Sequence, residues 1–208
     1  MNNFYLLLIS ILCSLFSSII FAQDQDTSTT SEWKFEVETD LYFTDPFVFL
    51  PIFIADRGNL HLETRYNYED IKTASAWVGY NIIGRDELEY FITPMVGGAF
   101  GRTNGIVVGI ELTFGFAGFE LYSETEYLFD VEGKSNGFFY IWNDLTYSPL
   151  DGLWFGISAQ RARVFNADLT IDRGVIFGFE IKNIKVNSYL YSNFQEAPFI
   201  MLALSTNF

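Results

Sequence analysis

Cysteine is almost missing from this chain. The one thiol, Cys13, lies within the first 22 residues, so the remainder can form no disulfide, no thiolate metal site and no cysteine nucleophile. Leu12 precedes it where a lipoprotein signal requires a small residue, which argues against lipid attachment. His61 is the only histidine, and one imidazole without thiols argues against a zinc site. Basic residues are also few: 12 Lys and Arg stand against 26 Asp and Glu, for a formal charge of −14. That balance speaks against nucleic acid as a partner and against docking on an anionic bilayer through a basic patch. No glycine loop of the phosphate-binding kind occurs, and Asp130-Val131-Glu132-Gly133 lacks the ligand spacing of a calcium loop. No cofactor is implied. After residue 22 no window sustains the 3.6-residue period of an amphipathic helix.

What the chain does contain begins with residues 1–22, which carry no charge and run through Leu, Ile, Phe and Ser to Phe21-Ala22. An apolar core that ends on a small residue before Gln23-Asp24-Gln25-Asp26 is expected to be a cleaved signal peptide, although the usual Lys or Arg at its start is absent. A membrane helix is the alternative, and the lack of a basic flank after it disfavours that reading. Residues 23–32, QDQDTSTTSE, have no apolar period and are expected to form a flexible lead-in.

From Trp33 onward apolar and polar residues alternate between turn signals, the mark of β-strands with two unlike faces. Trp33–Phe43 alternates almost without fault, with Lys34, Glu36, Glu38 and Asp40 on the even face. Further strands are expected at Leu60–Tyr68, Thr73–Ile83, Leu88–Phe100, Ile106–Phe116, Phe119–Phe129, Phe138–Tyr147, Leu153–Val164, Leu169–Ile181 and Ile184–Ser192. The final stretch, Phe199–Phe208, places Ile200, Leu202, Leu204 and Phe208 on one face and Met201, Ala203 and Ser205 on the other. Phe47–Ala55 is apolar on both faces and contains Pro51, so it is the weakest of the set. Counting it gives twelve strands; ten is the fallback. Each is long enough to cross a bilayer when tilted. Half of the residues are hydrophobic and 19% are aromatic, an odd companion to such acidity in a soluble domain. The expected fold is therefore all-β: a transmembrane antiparallel up-and-down β-barrel of about twelve strands over residues 33–208. Aromatic residues near strand ends (Trp33, Tyr66, Tyr68, Trp77, Tyr80, Tyr90, Tyr127, Tyr147, Trp154) are expected to form girdles at the membrane interfaces.

A charge-free leader, alternating strands, tight turns and a last strand ending on Phe208 together resemble the Gram-negative outer-membrane β-barrel proteins, porin-like and uncharacterised members included. The resemblance covers residues 33–208 and brings no catalytic motif. It implies the outer membrane as location, the lipid bilayer and lipopolysaccharide as surroundings, and Phe208 as the signal read by the barrel-assembly machinery. It also implies that both barrel ends of the chain lie on the periplasmic side.

The chemistry follows from which face a charge occupies. Glu120, Glu124 and Glu126 share a face with Tyr122, opposite Phe119, Leu121, Tyr127 and Phe129. Carboxylates cannot face lipid, so they are expected in the lumen with Glu63, His61 and Asp172. Arg65, Arg161, Arg163 and Arg173 are the cations available to them. The last three share the odd parity of Phe155, Ile157 and Val175. Either a bulge turns them inward or they lie at the outer rim; internal ion pairs are favoured. His61-Leu62-Glu63-Thr64-Arg65 matches no lipid-hydrolase signature, so a lumenal histidine bonded to a carboxylate is expected. The function expected is a narrow porin-like channel for small solutes or a structural barrel with an ion-paired lumen, and not an enzyme. The alternatives are a lipid- or lipopolysaccharide-modifying outer-membrane enzyme, including a lipid hydrolase around His61, and a soluble periplasmic lipid-binding barrel.

Overall fold

The computed structural model describes residues 32–85, 87–133, 137–164, 170–192 and 197–208, and for residues 162–164 and 170 it describes the backbone alone. The expected signal peptide and, Glu32 apart, the lead-in lie outside the described residues.

Alternation becomes strand wherever two neighbours can share a ladder. The segments are β1 (Lys34–Phe43), β2 (Val48–Arg57), β3 (Leu60–Tyr66), β4 (Thr73–Tyr80), β5 (Ile82–Arg85), β6 (Glu89–Gly101), β7 (Gly105–Phe116), β8 (Phe119–Asp130), β9 (Phe138–Leu150), β10 (Leu153–Val164), β11 (Thr170–Ile181), β12 (Ile184–Ser192) and β13 (Phe199–Asn207). All pairings are antiparallel between chain neighbours, and β13 closes on β1 with Leu41 opposite Leu202. β4 and β5 both pair with β6 and are interrupted at Asn81, so they form a single stave. The thirteen segments thus make a closed barrel of twelve staves. Closure leaves no open edge, the condition for a sheet to sit in lipid.

The doubtful stretch around Pro51 is a full member of the wall. Proline cannot donate to a ladder, and here it does not need to: the β2–β3 register starts one residue later, with Ile52 opposite Arg65. On its other side Pro51 stands opposite Thr39.

The two ends of the barrel differ. Two-residue turns such as Ala117-Gly118 and Lys182-Asn183 lie at the end that also holds Lys34 and Asn207. Ala117 and Gly118 both take positive φ, 50° and 82°, as a type I′ hairpin requires. The other end carries the longer connections. There Arg102 donates from its guanidinium to Asp70, Thr103 Oγ1 donates to Asp70 Oδ2 at 2.8 Å, and two loops are tied together. Partial burial would raise the Asp70 pKa, but these bonds outweigh it and hold the carboxyl below its ordinary range.

The wall is inside out compared with a soluble barrel. Val37, Phe53, Val78, Val96, Ile106, Ile157, Val175, Leu190 and Ile200 are large apolar residues exposed on the outer face. Asp40, Glu63, Arg65, Glu124, Glu126 and Asp144 are buried within. On β13, Ile200 is exposed while Met201 and Ala203 are buried. The expected girdle is incomplete. Trp33, Tyr66, Tyr80 and Tyr147 are exposed, but Trp77 and Tyr68 turn into the lumen around Arg65 and Trp154 lines its cavity. A cation placed on the outer face midway along a strand meets hydrocarbon. Val175→Arg is expected to cost about 2–4 kcal/mol, measured as a shifted urea midpoint for refolding into lipid vesicles.

Candidate functional site in the barrel lumen

The even face of β8 and the odd faces of β3 and β7 converge inside the wall. Across the β7–β8 ladder Glu111 stands directly opposite Glu124, a like-charge pair that repels unless a cation sits between its members. Arg65, reaching in from β3, is that cation. Its Nε donates to Glu63 Oε1 at 2.5 Å and one terminal nitrogen donates to Glu124 Oε1 at 2.7 Å and to Glu126 Oε1. The other terminal nitrogen donates to Glu63 Oε2 and to Glu111 Oε1, both at 3.2 Å. Tyr68 and Trp77 place their rings 4.3 and 5.0 Å from the guanidinium carbon, where a cation is attracted to the ring face. A planar fork with five donors is the side chain suited to several carboxylates at once.

The network extends from this centre. Tyr68 donates to Glu124 Oε2 at 2.5 Å and Tyr122 to the same oxygen at 3.3 Å. His61 Nδ1 lies 2.9 Å from Asp56 Oδ1, and Nε2 lies 3.3 Å from Glu63 Oε2. Carboxylates only accept, so both contacts are hydrogen bonds when the ring carries both protons. His61, Glu63 and Glu111 bring donor atoms within 4.8 Å of one another, close enough to bracket a divalent ion. Arg65 already bonds both glutamates, so a fixed cation holds that position.

A second layer crosses the lumen beside the first. The Tyr68 and Tyr140 rings meet edge to face at 5.8 Å, and Tyr140 donates to Gln160 Oε1 at 3.4 Å. Tyr42, from β1, donates to the same oxygen at 3.5 Å. Tyr140 also packs against two apolar clusters, one around Trp77, Met95, Val107, Leu128 and Phe138, the other around Trp142, Tyr189, Tyr191 and Met201. Among the described residues this fills the half of the lumen towards the longer loops. The half towards the tight turns holds a cavity of about 370 Å³, lined by nine carboxylates and two cations, Arg65 and Lys185. Gly178 makes room in its wall: a Cβ there would lie 2.1 Å from Trp154 Nε1, the nitrogen that donates to Asn187 Oδ1 at 2.7 Å.

Of the residues singled out from sequence, Glu63, Arg65, Glu120, Tyr122 and Glu124 line this cavity, while His61 and Glu126 are buried beside it. Asp172 stands opposite Gln160, on the inner parity of β11. Arg161 and Arg173 do not join them. The β10–β11 register runs unbroken from Leu153 opposite Phe179 to Ala162 opposite Thr170, so no bulge turns either one, and both stay on the outer parity of Ile157 and Val175. The inward turn by a bulge, one of the two expectations for them, is thereby corrected. The Arg163 side chain lies outside the described residues. Phe208 exchanges backbone hydrogen bonds with Phe35 at 3.0 and 3.1 Å and stacks on its ring at 6.0 Å. Sequence reasoning missed Asp40, Tyr68, Glu111, Tyr140, Asp144 and Gln160. Parity carried a signal for Glu111, the one acid among the apolar residues of β7, and for Asp40 on the charged face of β1.

Taken together, the closed twelve-stave wall, apolar outside and polar inside, is the architecture of a membrane-spanning β-barrel. Two solved structures share it. A KdgM porin in complex with disordered oligogalacturonate superposes with a TM-score of 0.62 at 9% identity, over 83% of this chain and 99% of that one. A second KdgM porin structure gives 0.59 at 9% identity, over 84% and 99%. No protein-family model and no curated protein matches the sequence.

Removing Arg65 would leave the carboxylates of Glu63, Glu111, Glu124 and Glu126 facing one another without a cation. Arg65→Met is expected to cost about 3–5 kcal/mol, the range for breaking a buried ion pair from one side. The measurement is urea unfolding in detergent, and the added changes Glu63→Gln and Glu126→Gln are expected to restore part of the loss.

Proposed function

We propose that this chain is an outer-membrane barrel acting as a narrow porin-like channel for small cationic solutes, closed at rest by the side-chain layer around Arg65 and Tyr140. The observation that carries the reading is the acidic cavity, where nine carboxylates outnumber two cations beneath a layer of side chains crossing from β3 to β9 and from β1 to β10. Such a lumen concentrates cations and repels anions. It is unsuited to oligogalacturonate, an anionic sugar chain with which one of the similar barrels was solved.

Several further features belong to the same reading. Residues 1–22 act as a cleaved export signal, and residues 23–32 as the lead-in to a barrel spanning 33–208. Phe208 presents the terminal strand to the assembly machinery. Tight turns face the periplasm and longer loops face outward, which places Arg161 and Arg173 near the outer leaflet, within reach of lipopolysaccharide phosphates. A barrel used only as a structural element is the second reading, favoured by Tyr140 packing against both apolar clusters. His61 is engaged by two carboxylates, and among the described residues no serine is seen bonded to it, so the enzyme reading draws no support.

Planar-bilayer recordings separate these readings. The wild-type barrel is expected to give small, infrequent, cation-selective openings. Tyr140→Ala, which removes the ring shared by the two packed clusters, is expected to raise conductance several-fold and keep the cation preference. Silence from both proteins in every salt would leave the structural barrel, and anion preference would remove the proposal.

A further inference from the structure

Asp40 is the least explained group in the lumen. The residue is 1% exposed, yet neither carboxylate oxygen has a hydrogen-bond partner. A buried carboxylate without donors is strongly disfavoured. The neighbouring acids offer nothing, since Asp144 is already bonded by Trp142 Nε1 at 2.7 Å and by Tyr189 Oη at 2.9 Å. The nearest stave neighbours on either side are Leu50 and Ala203, and the small alanine leaves Asp40 on the wall of the acidic cavity. Lys185, the second cation of that cavity, stands across the ladder from Glu180 on β11 and not beside Asp40.

Asp40 does not stand alone. Glu36, Glu38 and Asp40 occupy successive inward positions of β1, and all three line the cavity. Two residues of antiparallel strand advance by about 6.8 Å, so the three form a ladder of evenly spaced charges running inward from the tight-turn end. We infer that this ladder is a binding site for a linear aliphatic polyamine, with a terminal ammonium on Asp40 and the next ammonium groups at Glu38 and Glu36. The inference rests on the acidic cavity of the channel reading and names its substrate class.

The chemistry of the wall selects this ligand over a metal ion. An ammonium brings three donors to oxygens that have none, whereas calcium or magnesium requires six or more oxygen ligands. Water would have to complete such a shell, and magnesium keeps most of its own water, so neither ion matches a line of three carboxylates as directly. Trp142 and Tyr189 line the same cavity, and aromatic faces favour organic cations. Methylene segments between ammonium groups repeat on the same length scale as the carboxylates.

Titration calorimetry of the refolded full barrel in detergent, with spermidine as probe, tests the inference. Saturable spermidine binding is expected, at least tenfold tighter than butylamine, and magnesium chloride at equal charge is expected to compete poorly. Asp40→Asn is expected to weaken spermidine binding tenfold or more. The substituted side chain loses no hydrogen bond, and Glu38→Gln gives an independent reading if the first variant refolds badly. Absence of saturable binding, equal competition by magnesium, or an Asp40→Asn affinity within twofold of wild type would overturn the proposal. Binding without any conductance would support this site and remove the channel, whereas conductance without binding would remove this site alone.

Discussion

One guanidinium holds the interior of this barrel together. Arg65 is bonded to carboxylates from β3, β7 and β8 and is flanked by two aromatic rings. Without it, Glu111 and Glu124 would face each other directly across a ladder. Inside a closed wall, charges are weakly screened, so repulsion among acids and attraction to their shared cation are both larger than in water. The orientation of Tyr68 follows from that centre, because its hydroxyl bonds Glu124 while its ring lies over the guanidinium.

From that centre the lumen divides into two chemically distinct halves. Towards the longer loops the interior is packed like a protein core, with Leu128, Val107, Tyr191 and Met201 fully buried. Towards the tight turns it is a cavity whose lining is dominated by carboxylates. A water-filled porin would present polar side chains along its whole length. This barrel instead combines a closed wall, apolar outside, with a half-solid interior: acids line the turn end, and the aromatic layer lies beyond them.

The wall was legible in the alternation. β1 reads as a strand because Glu36, Glu38 and Asp40 alternate with Phe35, Val37 and Leu41, and the structure seats them on opposite faces. Parity also holds for Arg161 and Arg173, which share the outward parity of Ile157 and Val175 along an unbroken register. The girdle expected of Trp77 and Tyr68 rests only on the frequency of aromatics at membrane interfaces. Trp77 shares the parity of Thr73 and Ser75, which are buried inside the wall. The break of one stave at Asn81 had no signature beyond a polar residue, yet that amide bonds Asp56 and Thr93 inside the barrel.

By itself the sequence determined that the chain would be a wall with one apolar and one acidic face, that Phe199–Phe208 would be a strand of that wall, and that His61 and Glu63 would share its polar face. Period-two alternation is a local property, decided by each residue and its immediate neighbours. Tertiary structure alone decided which acids gather on Arg65, that Tyr42 and Tyr140 meet at Gln160, and that Asp40 is left with no donor. The bonds from Arg65 to Glu111, Glu124 and Glu126 and the contact from Tyr42 to Gln160 join strands three or more staves apart, and their geometry depends on the barrel's radius, stagger and rotamers, quantities that belong to the closed wall and to no single strand.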